Sequence, residues 1–260
     1  MATTSDLFPL HTDQLPTRAL AEGQYEVVFA RSAEDLDAIQ RLRFEVFNLE
    51  LGEGLEESFA SGRDADPFDP VCHHLIVRKR GTGEIVGCYR MQTATMAHAN
   101  FGFYSASLFD LSSLPAAALE KSVEVGRACV ARSHRSSIVL FLLWRGLAQY
   151  VAHNQLRYLF GCCSLTSQDP ADGSAVLRYL KDNDRMHRDW SVQPTTGCEC
   201  AIDPDIEAAT GVPTLFKTYL RYGAKVCGPP AIDREFKTID YLVILDVDGL
   251  TPRSHRLFFG

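Results

Sequence analysis

The sequence predicts a mixed α/β fold, on three observations. Residues 122–154 read as a strand, a short basic turn and a long apolar helix. Residues 73–92 read as two antiparallel strands about a tight turn, and residues 157–164 form a short apolar run soon after the helix. Such alternation of strands and helices describes a sheet covered by helices.

Taken in order, residues 1–22 are polar, carry two prolines and show little periodicity, which describes an extended or mobile arm. Residues 24–30 read as the first strand. Ser32 then caps a helix with acidic residues in its first turn, and Leu36, Ile39, Leu42, Val46 and Leu49 keep helical phase. That phase puts Arg43 and Phe47 on a neighbouring face. Residues 52–70 are acidic, glycine-bearing and aperiodic, hence a loop, ending in DPFDP. Asp66 and Asp69 in that string suit a cationic group, since carboxylates offer both charge and lone pairs to an ammonium; Asp-Pro steps are also common turn formers.

The two antiparallel strands, 73–79 and 84–92, flank Arg80-Gly81-Thr82-Gly83. Arg90 sits in the second among apolar residues and needs a partner, which Glu124 or the Asp66/Asp69 loop can supply. Residues 91–119 form a link whose greasy GFYSASLFDL string is expected to fold over the site as a lid, packing onto the core being the commoner fate of its aromatics.

In residues 123–130 apolar and polar positions alternate as in a strand, with Glu124 and Gly126 on one face and Arg127 on the other unless a bulge intervenes. The basic turn 132–137 follows, then a helix over 138–151 with Leu140, Leu143, Trp144, Leu147 and Val151 at helical spacing. A helix start has amides without intrahelical partners and the positive end of the dipole, so Ser136 or Ser137 as cap with Arg132, His134 and Arg135 makes an anion site. Solvated loop charges are the plain alternative. Further on, residues 172–183 read as a helix, 184–214 as irregular, 213–222 as a helix opened by Pro213 and stopped by Gly223, and 225–227 and 241–247 as the last strands.

Composition bounds the function. The chain has 260 residues, 46% of them hydrophobic, and a net charge of -7, so it can bury a full core and has no basic bias toward nucleic acid. No positive n-region precedes an apolar core at the N-terminus, and the longest apolar stretch meets Arg145 too soon to span a bilayer; a cytoplasmic protein with peripheral contact at the inner membrane is expected. The eight cysteines read as reduced, largely buried thiols. Neither the lone Cys198/Cys200 pair nor His73-His74 has a partner at zinc spacing, so no metal is expected.

VEVGRACV followed by RSHRSSIVLFLLWRGLAQYV resembles the central strand, pyrophosphate loop and helix of the GNAT superfamily of acyltransferases. It is most similar to the branch of ornithine-lipid N-acyltransferases and hemolysin-like acyltransferases, with acyl-homoserine-lactone and N-acyl amino acid synthases as more distant relatives. Further matching strings are LRFEVFNLELG, DPFDPVCHHLIV, IVGCYRMQ, GFYSASLFDL, YLFGCCSL and LFKTYLRYGAKVCGPPAIDREFKTIDYLVIL, so the resemblance runs from Arg41 to about Val247. It implies a GNAT fold: a central mixed, largely antiparallel twisted sheet with two parallel splayed central strands, flanked by helices. A single domain over 23–250 would carry an irregular insertion around 184–214, with a tail at 251–260.

The resemblance also implies a reaction, the transfer of a long (3-hydroxy)acyl chain from a thioester to the amino group of an amino acid, ornithine by this branch. Acetyl-CoA-using members have glycines in the loop, whereas Arg132-Ser133-His134-Arg135-Ser136-Ser137 has none. Close cradling of a pyrophosphate asks for glycine, so a single phosphate on acyl-phosphopantetheine, and hence acyl carrier protein, is favoured over acyl-CoA as co-substrate. No tightly bound cofactor is expected. Glu124 is the leading base and Arg90 belongs to the reaction cleft. Backbone N–H groups near Cys129 or Val130 meet the oxyanion, and Tyr219 or Tyr222 supplies the thiolate's proton. Arg43 and Phe47 shape the donor entrance, Asp66 and Asp69 hold the amine, and Glu124-x-x-Arg127 is similar to a motif of the autoinducer synthases. The competing functions are an N-acyl amino acid or acyl-homoserine-lactone-type signal synthase, and a non-catalytic binding module on the same fold.

Overall fold

The computed structural model describes residues 8–260, so the first seven residues of the expected arm lie outside the described residues. In chain order the elements are β1 (Leu20–Glu22), β2 (Tyr25–Phe29), α1 (Ala33–Arg43) continuing as a π-helical segment (Phe44–Leu51), α2 (Ser58–Ser61), β3 (His73–Lys79), β4 (Ile85–Thr93) and α3 (Ala94–Ala99). There follow β5 (Phe109–Asp110), α4 (Ala116–Glu120), β6 (Ser122–Val130), α5 (Ser137–His153), β7 (Tyr158–Leu165) and α6 (Pro170–Asp182). The last are β8 (Gln193–Pro194), α7 (Thr214–Arg221), β9 (Lys225–Val226), β10 (Ala231–Asp233), β11 (Thr238–Asp246) and α8 (Pro252–Phe259). The class is the expected one, a mixed and largely antiparallel sheet with one parallel pair, flanked by helices. Among the described residues no helix is long and apolar enough to cross a membrane.

Where the sequence reads residues 23–250 as one domain, the chain gathers into two compact units. The first holds the described residues up to Phe101 together with Val125–Leu156 and Arg256–Gly260; the second holds Gly102–Glu124 and Arg157–His255. β6 therefore gives its first three residues to the second unit and the rest to the first.

In the first unit the strand order is β1-β2-β3-β4-β6. β3 is buried from His73 to Val77 because helices cover both its faces. On one face Ile76 joins Ile39, Leu42, Val46 and Phe47 of the α1 segment. On the other, α5 lies so close that a Cβ on Gly146 would come within 2.6 Å of the Leu75 side chain, so glycine there admits the helix. Ser32 and Ser136 cap α1 and α5, accepting from the N–H groups of Asp35 at 3.2 Å and Val139 at 3.4 Å.

Three expectations change here. The described part of the arm is pinned, with Leu15 buried and His73 Nε2 hydrogen-bonded to the carbonyl of Leu10 at 2.7 Å. The 251–260 tail is a helix that stacks Phe258 on Trp144, ring centroids 5.2 Å apart. Leu49 falls out of phase and is 61% exposed, because the helix widens from i→i+4 to i→i+5 pairing beyond Arg43.

In the second unit β7 pairs antiparallel with β11 along its full length, and β10 and β9 both pair with β11. The parallel ladder of β6 with β7 comprises Ser122–Tyr158, Val123–Leu159 and Glu124–Phe160, and Glu124 is its last member. The GFYSASLFDL string packs rather than standing over a site as a lid. Phe103 meets Phe160 edge to face at 5.0 Å, Phe109 is fully buried, and β5 pairs with β8 inside the 184–214 stretch.

Candidate active site

Glu124 is buried, and its carboxylate is gripped by two consecutive backbone amides. Tyr104 N–H donates to Oε2 at 2.8 Å and Ser105 N–H to Oε1 at 2.7 Å. These amides are at hand because residues 104–107 form one tight 3-10 turn, whose first N–H groups have no partner within the turn. The Tyr104 hydroxyl donates to Asp233, which also accepts from the N–H groups of Glu235 at 2.9 Å and Phe236 at 3.0 Å. Burial, and after it the Asp233 carboxylate, hold the Tyr104 phenol well above its usual range, so it stays a donor. An N–H group can only donate, so the grip fixes Glu124 as an acceptor.

The first unit contains a second arrangement. Arg43, read as an entrance or surface residue, is 0% exposed. Its guanidinium clasps Asp69 through Nη1–Oδ1 at 2.7 Å and Nη2–Oδ2 at 2.8 Å, and reaches Asp64 through Nε–Oδ1 at 2.9 Å. Arg90 Nη1 meets both oxygens of Asp66, at 2.6 and 2.5 Å, and Asp69 Oδ1 at 3.1 Å. The partner that Arg90 requires thus comes from the Asp66/Asp69 loop. Asp69 is consequently a buried member of an ion network, saturated by arginines, rather than an open receptor for an ammonium. Burial alone would raise its carboxyl, but Arg43 and Arg90 outweigh that and hold it far below the ordinary range. Burial likewise opposes the charge on Arg43, and Asp69 and Asp64 more than restore it.

Arg127 resolves the alternation conflict. Its φ of 49° sets a left-handed residue inside β6, and its guanidinium sits 4.1 Å from the Phe47 ring centroid while Nη2 donates to Asp64. Arg43, Phe47, Asp66, Asp69, Arg90 and Arg127 therefore come together in one unit, with Asp64 as a member that the sequence reading missed.

The turn after β6 is built as expected in its capping, with Ser136 as N-cap and Ser137 as the first residue of α5. Arg132 is exposed in a 3-10 turn (Arg132–His134). Arg135 already holds a carboxylate: Glu50 lies on it in bidentate fashion, at 2.5 and 2.7 Å, and Arg135 Nε donates to the Val130 carbonyl at 3.2 Å. Cys129 is buried in the core with Ile39 and Leu42. Tyr219 is half-buried on α7, and the aromatic residue that grips Glu124 is Tyr104. All eight cysteines are free thiols; burial first, then Asp240, pushes Cys162 and Cys163 up, which makes them poor nucleophiles.

A mixed sheet with one short parallel pair closing at a buried glutamate, and a capped helix entered through a basic turn, defines an acyltransferase of the GNAT class. Residues 42–145 match the family described as acetyltransferase (GNAT) domain. The fold is similar to that of a CoA-dependent acyl-homoserine lactone synthase, BjaI: in its complex with MTA the TM-score is 0.51 at 12% identity, over 87% of this chain and 81% of the synthase. In sequence, the chain is 34% identical to an L-ornithine N(alpha)-acyltransferase of Brucella abortus, over 89% of this chain and 87% of that protein. It is 33% identical to an L-ornithine N(alpha)-acyltransferase of Agrobacterium fabrum, over 92% and 86%. The chain belongs to the family of these N-acyltransferases.

Proposed function

We propose that this chain transfers a long (3-hydroxy)acyl group from acyl carrier protein thioester to the α-amino group of ornithine, giving a lyso-ornithine lipid and the free thiol of the carrier. The kinship with L-ornithine N(alpha)-acyltransferases along nearly the whole chain supports the reaction and its acceptor. The observation that carries the mechanism is the Glu124 carboxylate held by the Tyr104 and Ser105 amides.

In this mechanism the amine attacks the thioester carbonyl as a neutral nucleophile, and Glu124 takes its proton directly or through one water. The C–N bond forms as the carbonyl oxygen takes up charge, and a backbone N–H at Cys129 or Val130 stabilises it. Collapse breaks the C–S bond, Tyr219 protonates the departing thiolate, and the proton held by Glu124 then restores Tyr219 through solvent. Arg132 and Arg135, with the capped start of α5, receive the phosphate of the donor's phosphopantetheine arm. Phe47 and Arg127 shape the donor entrance, backed by the buried Arg43 and Arg90 that Asp66 and Asp69 hold in place. The protein works in the cytoplasm, touching the inner membrane when the amphiphilic product leaves.

The test is direct. Purified protein, 3-hydroxyacyl carrier protein and ornithine are expected to yield acyl-ornithine by mass spectrometry. Acylation of no amino acid, or lactone formation from S-adenosylmethionine instead, overturns the proposal.

A further inference from the structure

Asp64 ties the α1 segment to β6 with every polar group it has. Oδ1 accepts from Arg43 Nε at 2.9 Å, Oδ2 accepts from Arg127 Nη2, the carbonyl accepts from Arg43 Nη2 at 2.5 Å, and the N–H donates to the Gln40 carbonyl at 3.0 Å. Its side chain is 1% exposed. The two oxygens thus serve different arginines, one from each element. Together with Asp66, Asp69 and Arg90 they make a buried set of three guanidinium groups and three carboxylates, balanced in charge.

Arg127 is where this matters. An L side chain in the left-handed region is strained, and such a residue persists only where its surroundings over-determine it. The Phe47 ring beneath the guanidinium and the Asp64 carboxylate at its end hold its side chain there. The ring supplies a weakly directional attraction, whereas the carboxylate fixes a direction. Asp66 and Asp69 are engaged with Arg90 and Arg43 instead.

We propose that Asp64 is a positioning residue for acyl transfer: by anchoring Arg127 it holds the left-handed residue within β6, and with it the setting of a strand that carries Glu124 three residues earlier and Cys129 two residues later. The inference rests on the reaction roles given to Glu124 and Cys129 above. Asp64 itself touches no substrate, because its side chain is enclosed between Arg43 and Arg127 at 1% exposure.

The test compares Asp64→Asn, Arg127→Gln and the double variant with the parent, in the full chain. Hydrogen–deuterium exchange, which needs no turnover, is expected to speed at least tenfold at the amides of residues 125–130 in Asp64→Asn, with β3 and β11 unchanged. In acyl transfer, kcat is expected to fall at least tenfold with the KM for ornithine within threefold, Arg127→Gln to match it, and the double variant to be no slower than Arg127→Gln. Unchanged exchange at 125–130, or losses that multiply in the double variant, overturns the proposal. Should Asp64→Asn not fold, the charge-balanced double variant still decides: activity equal to Arg127→Gln supports it, and a further tenfold loss refutes it. A parent that acylates nothing sinks the proposed function alone, because the exchange result on Asp64 stands apart from it.

Discussion

The backbone nitrogen of Ser105 lies 2.7 Å from the Glu124 carboxylate, a contact made across nineteen residues of chain by two groups of the same unit. With the neighbouring amide of Tyr104 it aims the carboxylate, and Asp233 steadies Tyr104 from behind through its hydroxyl. A proton acceptor so held needs little reorganisation to meet an amine.

Tyr104→Phe keeps both amides and removes the hydroxyl that serves the buried Asp233. Leaving that carboxylate short of a donor is expected to cost about 1–3 kcal/mol of stability, measured as a lower urea midpoint. Turnover should fall more than the KM for ornithine rises, because the grip on Glu124 loosens. An unchanged midpoint would contradict the role given to Asp233.

Arg43→Met leaves Asp64 and Asp69 facing an apolar side chain where they had a shared guanidinium. Breaking a buried pair by removing one partner costs about 3–5 kcal/mol, so urea denaturation should show a large fraction of the roughly 5–15 kcal/mol of a typical domain gone. A loss under about 1 kcal/mol, the range of exposed pairs, would refute the burial of this network.

Stability should depend on pH in two windows. His73 and His74 are buried, and burial is the main cause holding both down at about 4, against an ordinary value of 6.5. A group depressed in the folded state contributes fully above its unfolded value and loses that contribution as pH falls through its folded one. The unfolding free energy from urea titrations should therefore fall between pH 6.5 and 4, by up to ~3 kcal/mol per histidine. Asp69, held below the ordinary range, adds a further decline below about pH 4. His73→Gln should remove its share of the first decline, and an unchanged slope would contradict it.

How far these features could be read in the sequence depends on how local their causes are. The caps at Ser32 and Ser136, the 73–92 strand pair and the 122–154 strand–turn–helix were legible because each is decided within a few residues. The need of Arg90 for a carboxylate was legible too, since a charge inside an apolar strand demands one. The burial of Arg43 was not, because its partners lie 21 and 26 residues away. Nor was the grip on Glu124, since backbone donors look alike in every sequence. Leu49 was misplaced because nothing in FEVFNLEL announces π-helical pairing, and residues 251–260 were read as a tail although Phe258 finds Trp144.

Glu50 occupies Arg135 in the manner a phosphate would. Both side chains are partly exposed, so the pair is weak and readily displaced. Glu50→Gln is expected to lower the KM for acyl carrier protein thioester by up to about fivefold, and Arg135→Gln to raise it, with kcat little changed in both. A higher KM in Glu50→Gln would show that the pair builds the donor site instead of competing for it.

The central claim is that Glu124 takes the proton of the attacking amine, and the measurement that bears on it most directly is the kcat of Glu124→Gln in the acyl-ornithine assay, taken beside a thermal melt of the same sample. Glutamine keeps an acceptor for one of the two amides but cannot receive the proton, so a loss of roughly 10²–10⁴-fold is expected with the folded structure retained. A folded Glu124→Gln protein that turns over within about threefold of the parent would contradict the account.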